Sequence, residues 1–187
     1  MSCREVESMI MTSSPAANIV RLTAPEVGSV ISELAEILAD SVLGGASVSF
    51  MAPLAQADAE AYWQGLLPAI TGGTTILLAA LIGDRMAGTV QLDMATPPNQ
   101  RHRADVRKLL VHRRARRRGV ARALMAEIEA KASALGRTLL TLDTTAGSAA
   151  DVMYQTLGYN RVGVIPGYAR LPDGPLCETA IYYKQLR

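Results

Sequence analysis

Arg113 to Leu124, reading RRARRRGVARAL, brings together the groups best suited to holding phosphate: a dense arginine run, a glycine and the start of an amphipathic segment. Val120, Leu124, Ile128 and Leu135 recur at the spacing of one buried helix face, Glu127 and Lys131 form an i,i+4 pair, and Gly136 is placed to end the helix. The first N–H groups of such a helix have no intrahelical partner, and its dipole leaves partial positive charge at that end, so an anion is stabilised there. Gly119 lets a phosphate approach the backbone without a Cβ, Ala121 keeps the first turn narrow, and Arg117 and Arg118 can add side-chain charge. A solvated face or a nucleic-acid patch is the competing reading of an arginine run. The preceding stretch favours a compact anion, because Asp105 to Val111 (DVRKLLV) reads as a strand that turns wholly apolar just before the basic loop.

Two carboxylates could act as a base near such a ligand. Asp143 ends the apolar run TLLTLD, where a lone charge is costly unless paired or useful, and Asp105 opens the strand that leads to the basic loop. Adjacent strands would bring both to one pocket; otherwise they are strand-end caps or surface ion pairs. Asp93 is a weaker candidate. Phe50 and Trp63 are the only residues of their types, and a loop and helix carrying them could wall a pocket or simply pack. His102 and His112 are too few for a metal centre, and no other spacing argues for zinc.

The 187 residues suffice for one well-buried domain. Net charge is only +2, yet residues 101 to 122 hold ten of the nineteen Lys and Arg and one of the seventeen acids, so a focused positive strip sits on an otherwise acidic molecule. That distribution suits a compact polyanion better than a long nucleic-acid track. Cys3 and Cys177 lie near opposite ends and indicate no disulfide framework. No stretch is long enough to span a membrane and the start lacks a secretory pattern, from which a cytoplasmic location is expected.

Residues 1 to 17 read as a disordered leader before a single domain over 18 to 187. Asn18 to Thr23 reads as a strand, and Pro25 opens a helix to Leu43 with a stripe of Ile31, Leu34, Leu38 and Val42. A second helix is expected over Gln56 to Leu67, then a hairpin of Thr74 to Ile82 and Ala87 to Met94 turning at Gly83 to Arg85. After the long helix come a short strand, Thr138 to Leu142, a helix capped by Ser148 and ended by Gly158, and strands at Val162 to Ile165 and Thr179 to Lys184. The order β-α-α-β-β-β-α-β-α-β-β implies an α/β domain with a mixed sheet covered on both faces.

With R-x-x-G-x-A at Arg116 to Ala121 after an apolar strand, and a later helix ending YQTLGY at Tyr154 to Tyr159, the chain resembles the GNAT superfamily of N-acetyltransferases over residues 18 to 186. Within it, GGASVSFMA (Gly44 to Ala52), RADVRKLLV (Arg103 to Val111), LDTTAGS (Leu142 to Ser148) and the stretch from Arg161 to Lys184 are similar to the tabtoxin-resistance acetyltransferases. The resemblance implies a mostly antiparallel central sheet and transfer of acetyl from acetyl-CoA, with no metal, to the amine of a small molecule such as an amino-acid-like toxin or antibiotic. It implies that the pantetheine arm lies along Leu109, Leu110 and Val111, with an N–H near Leu110 or Val111 polarising the thioester. The diphosphate would rest on Arg116, Arg117, Arg118, Gly119, Val120, Ala121 and Arg122. Tyr154 would be the general acid, Asp105 or Asp143 the base, and Phe50 and Trp63 the acceptor wall. Where the tabtoxin-resistance pattern has a glutamate this chain has Asp105, one methylene shorter, which favours a bridging water. A protein N-terminus or lysine is the alternative acceptor, and a non-catalytic nucleic-acid module the alternative class. No nucleic-acid or membrane partner is expected, and a homodimer is allowed.

Overall fold

The computed structural model describes residues 17–94 and 96–186. The expected leader up to residue 16, and Cys3 with it, lies outside the described residues. The rest forms seven strands in one sheet, ordered β1-β2-β3-β4-β5-β7-β6. They are β1 (Asn18–Leu22), β2 (Thr75–Ile82), β3 (Arg85–Asp93), β4 (Arg103–Val111), β5 (Leu139–Thr145), β6 (Asn160–Arg170) and β7 (Leu176–Gln185). Every neighbouring pair is antiparallel except β4 and β5. The mixed, mostly antiparallel sheet with helices on both faces is as the sequence implied.

The first expected helix is two: α1 (Ala24–Ser29) and α2 (Ile31–Leu43), parted at Val30, whose ψ of 19° leaves the helical region. Gly28 and Ser29, poor helix formers, weaken the turn just before the break. The second expected helix also divides, into α3 (Gln56–Gly65) and α4 (Leu67–Thr71), because Pro68 has no N–H to continue the ladder. The long helix α5 (Val120–Ala134) buries Val120, Leu124, Met125, Ile128 and Ala132. Leu135 is the residue after its end and is half exposed, so it does not belong to the stripe. Ile31 is only partly buried, and α2 uses Leu34, Ala35, Ile37, Leu38 and Val42. Ser148 caps α6 (Ala149–Thr156) by accepting from Asp151 N. β6 and β7 are both longer than expected.

Two apolar layers clamp the sheet. Helix α5 and Tyr154 of α6 pack with Leu78, Val90, Leu92 and Leu140 on one face, while Leu34, Ile37, Leu38 and Trp63 pack with Leu22, Leu77 and Leu110 on the other. Burial on both sides explains why β2 reads TILLAALI without alternation. Gly88 on β3 fixes how closely β4 approaches: a Cβ there would stand 2.6 Å from Leu110 O and 3.3 Å from Leu124 Cδ1. Gly88→Ala is therefore expected to cost about 1–3 kcal/mol of stability, the range for overpacking. A lowered denaturation midpoint checks it, and an unchanged midpoint contradicts it.

Candidate active site

The site arises from the one parallel pair. β4 and β5 are in register only at Arg103↔Leu139, Ala104↔Leu140 and Asp105↔Thr141, yet run on to Val111 and Thr145, so they part like the arms of a V. A cavity of about 530 Å³ fills the opening. Val106 to Val111 line one arm, Asp143 to Thr145 the other, and Tyr154, Arg116, Ala121 and the segment Gly44 to Ser49 complete it.

A bulge shapes the β4 arm. The ladder to β3 passes from Gln91↔Arg107 to Thr89↔Leu110, leaving Lys108 and Leu109 without partners on β3. Lys108 adopts a left-handed φ of 48°, a strained backbone for a side chain, and Thr89 Oγ1 donates to its carbonyl at 3.2 Å. The ladder is thus interrupted where an extended ligand could run along the strand.

At the neighbouring corner, Gly119 precedes α5 with a φ of 77°, no side chain caps the helix, and a Cβ at Gly119 would meet no heavy atom outside the turn within 4 Å. Arg117 is also left-handed, with a φ of 60°. Left-handed residues in tight turns are a feature of anion-binding backbone nests. The arginines divide their work. Arg113 N donates to Asp40 Oδ2 at 2.9 Å and its guanidinium pairs with the same carboxylate; Arg114 donates to Glu36 Oε1 at 2.6 Å and Met86 O at 2.9 Å. Both therefore fasten the loop to α2. Arg116 donates to Val111 O at 3.1 Å and lines the cavity, while Arg122 donates to Thr156 at 2.9 Å. Arg117, Arg118, Gly119, Val120 and Arg122 lie beside the cavity rather than in its lining, and Val120 is a core residue.

Asp143 and Tyr154 come together. Both line the cavity; Tyr154 is buried, packed edge-on to Tyr159 at 5.6 Å, and burial followed by the charge of Asp143 pushes its phenol well above the usual value. It therefore stays protonated at working pH and can act as a donor. Asp105 sits at the apex of the V, outside the lining, accepting from Arg103 at 2.6 Å and from Thr141. Asp93 pairs with Arg107 at 3.1 Å. The structure thus places the two candidate aspartates differently, Asp143 in the cavity lining and Asp105 outside it.

Trp63 requires a correction. It is fully buried between helices and sheet and has no surface to offer a ligand. Phe50 packs edge-on to Tyr62 at 5.4 Å, and Lys108 Nζ lies 5.7 Å and 5.4 Å from the two ring centres. Lys108 is a lining residue absent from the sequence-based candidates; the signal was a lysine set directly before the apolar run Leu109 to Val111. Among the described residues no group of three His, Cys, Asp or Glu side chains is placed to hold a metal ion, and no helix is long and apolar enough to cross a membrane.

Residues 42–159 match the sequence model of the acetyltransferase (GNAT) family. Among solved structures, the chain is similar to an N-acetyltransferase from Staphylococcus aureus Mu50, with 16% identity over 92% of this chain and 99% of that one and a TM-score of 0.73. It is similar to a ribosomal-protein-alanine N-acetyltransferase from Brucella melitensis, with 20% identity over 90% and 99% and a TM-score of 0.72. A phosphinothricin acetyltransferase from Sinorhizobium meliloti, in complex with acetyl-CoA, shares 19% identity over 91% and 88% with a TM-score of 0.73.

Proposed function

The chain belongs to the acetyltransferase (GNAT) family, and on that premise we propose that it moves acetyl from acetyl-CoA to the amine of a small molecule, by direct transfer within a ternary complex. One observation carries this reading: Asp143 and Tyr154 face the same V-shaped cavity that Arg116 and Ala121 border at the α5 end. The residues fit the cofactor, because the uncapped start of α5 and the left-handed Gly119 leave room and N–H groups for a diphosphate, and the bulged β4 backbone can take an extended arm. Arg116, Arg117, Arg118, Gly119, Val120, Ala121 and Arg122 would hold the diphosphate, with Leu109, Leu110 and Val111 along the arm. The cofactor supplies an activated acetyl thioester.

The chain's own groups then divide three tasks. An N–H at Leu110 or Val111 polarises the carbonyl oxygen, where developing negative charge is best stabilised by a fixed donor. Asp143, directly or through one water, accepts the proton that a substrate ammonium must lose before it can attack. Tyr154 donates its phenolic proton to the departing sulfur. Asp105, held by Arg103 and Thr141, orders the apex from which the strands diverge.

The resemblance of the sequence stretches to tabtoxin-resistance acetyltransferases, together with the fold shared with a phosphinothricin acetyltransferase, supports an amino-acid-like toxin or antibiotic as the acceptor. Strand β6, at the sheet edge, exposes Val162, Ile165 and Tyr168, which supports a homodimer. Thiol release from acetyl-CoA, scanned over small amines, amino-acid-like antibiotics and peptides, tests the reading; turnover of peptides alone would move the acceptor to a protein, and salt-sensitive nucleic-acid binding without thiol release would remove the enzyme. Tyr154→Phe is expected to lower kcat about tenfold to a hundredfold, below the full range for general acid–base catalysis because water can replace the phenol, with cofactor affinity kept. An unchanged kcat would remove Tyr154 from the chemistry.

A further inference from the structure

Lys108 is an ammonium without a counter-ion. Its Nζ donates to Val48 O at 2.8 Å and to the Ser49 hydroxyl at 3.3 Å, and it lies over the Phe50 and Tyr62 rings. Among the described residues no carboxylate comes within 4.0 Å of it. An ammonium has three N–H donors, so two neutral partners leave one unspent. The charged groups around it do not fill the gap. On β4, Arg107 repels it and is itself paired with Asp93 of β3; on β5, Asp143 attracts it from beyond ion-pair range; on α3, the Tyr62 phenol is bonded to Gln91 at 3.1 Å. The segment from Val48 to Phe50 offers a carbonyl, a hydroxyl and a ring, but no charge. Burial, reinforced by Arg107 and opposed by Asp143, pushes the amine down to about 8. An isolated ammonium is costly to bury, and the left-handed backbone that aims it is strained as well. Both costs are placed at the wall of the acetyl-transfer cavity.

We propose that Lys108 is a specificity-determining residue that receives an anionic group of the acceptor, so that the substrate is an amine also carrying a carboxylate or comparable anion. This rests on the acetyl-transfer reading and deepens it. In such an acceptor the amine turns to Asp143 and the anion to Lys108, and a molecule lacking the anion leaves Lys108 uncompensated. Arg107 and Arg116 are less suited, being tied to Asp93 and to Val111 O. The proton linkage has a definite sign. The anion binds the protonated lysine, so affinity for an anionic amine falls as pH rises through about 8, and binding draws a proton onto Lys108.

The test compares α-amino acids with their α-amino amides, which keep the amine and remove the negative charge. In wild type, kcat/KM is expected to favour acid over amide by about tenfold or more, the lower end of measured couplings between close charge pairs. Lys108→Met is expected to abolish the preference by losing the acids, Lys108→Arg to retain part of it, and coenzyme A affinity to be unchanged in both. A second readout needs neither turnover nor a variant. The sequence has three lysines, so Lys108 is resolvable by NMR of 13C-labelled lysine, and its midpoint is expected to rise by about one unit or more when the acid binds but not with the amide. Equal treatment of acids and amides, a preference surviving Lys108→Met, or a midpoint indifferent to the acids overturns the proposal. A raised midpoint without thiol release would keep the anion subsite and remove acetyl transfer, so the two failures are distinguishable.

Discussion

Gly119→Glu is expected to raise the dissociation constant for acetyl-coenzyme A at least about a hundredfold, roughly 2.7 kcal/mol. Two effects add. Gly119 has a φ of 77°, a conformation that costs a residue with a side chain about 1–2 kcal/mol. A carboxylate at the mouth of the helix also repels the diphosphate and competes with it for the uncapped N–H groups of α5. Gly119→Ala isolates the first effect and should weaken binding only several-fold, since no heavy atom outside the turn lies within 4 Å of the added Cβ. Calorimetric titration measures both, and full affinity in Gly119→Glu would place the diphosphate elsewhere.

Asp143→Asn is expected to lower kcat/KM for the acceptor by about 10²–10⁴, the usual contribution of a positioned general base. Asp105→Asn should cost less than about tenfold, within what an ordered salt bridge contributes, because Asp105 already serves Arg103 and Thr141. The comparison discriminates between the two candidate carboxylates. Activity of Asp143→Asn should partly recover at high pH, where solvent deprotonates the substrate amine. Equal losses at the two positions would contradict the assignment of proton removal to Asp143 alone.

Local signals carried much of the fold. The apolar strand, the glycine turn and the α5 stripe needed only near neighbours in sequence, as did the hairpin and the Ser148 cap. The misread features depend on distant partners or on backbone conformation. Arg113 and Arg114 belong to the same basic run in sequence, but Asp40 and Glu36, more than seventy residues away, pair with them. Lys108 sits in a strand by pattern, and only the bulge beside Thr89 makes it a cavity residue. Trp63, the one tryptophan, suits a pocket wall by sequence; tertiary packing buries it, a choice periodicity does not reveal. The α1/α2 and α3/α4 breaks follow from Gly28 with Ser29 and from Pro68, residues whose effect on a helix depends on what packs against it. The divergence of β4 from β5, which creates the site, has no signature in either strand alone.

A crystal structure of the protein with coenzyme A tests the central claim most directly. The account predicts the diphosphate against the main-chain N–H groups of Arg116 to Ala121, the pantetheine arm beside Leu109 to Val111 between the parted strands, and the sulfur at the end of the cavity where Asp143 and Tyr154 meet. Coenzyme A bound outside that V, or its sulfur remote from both side chains, would contradict it.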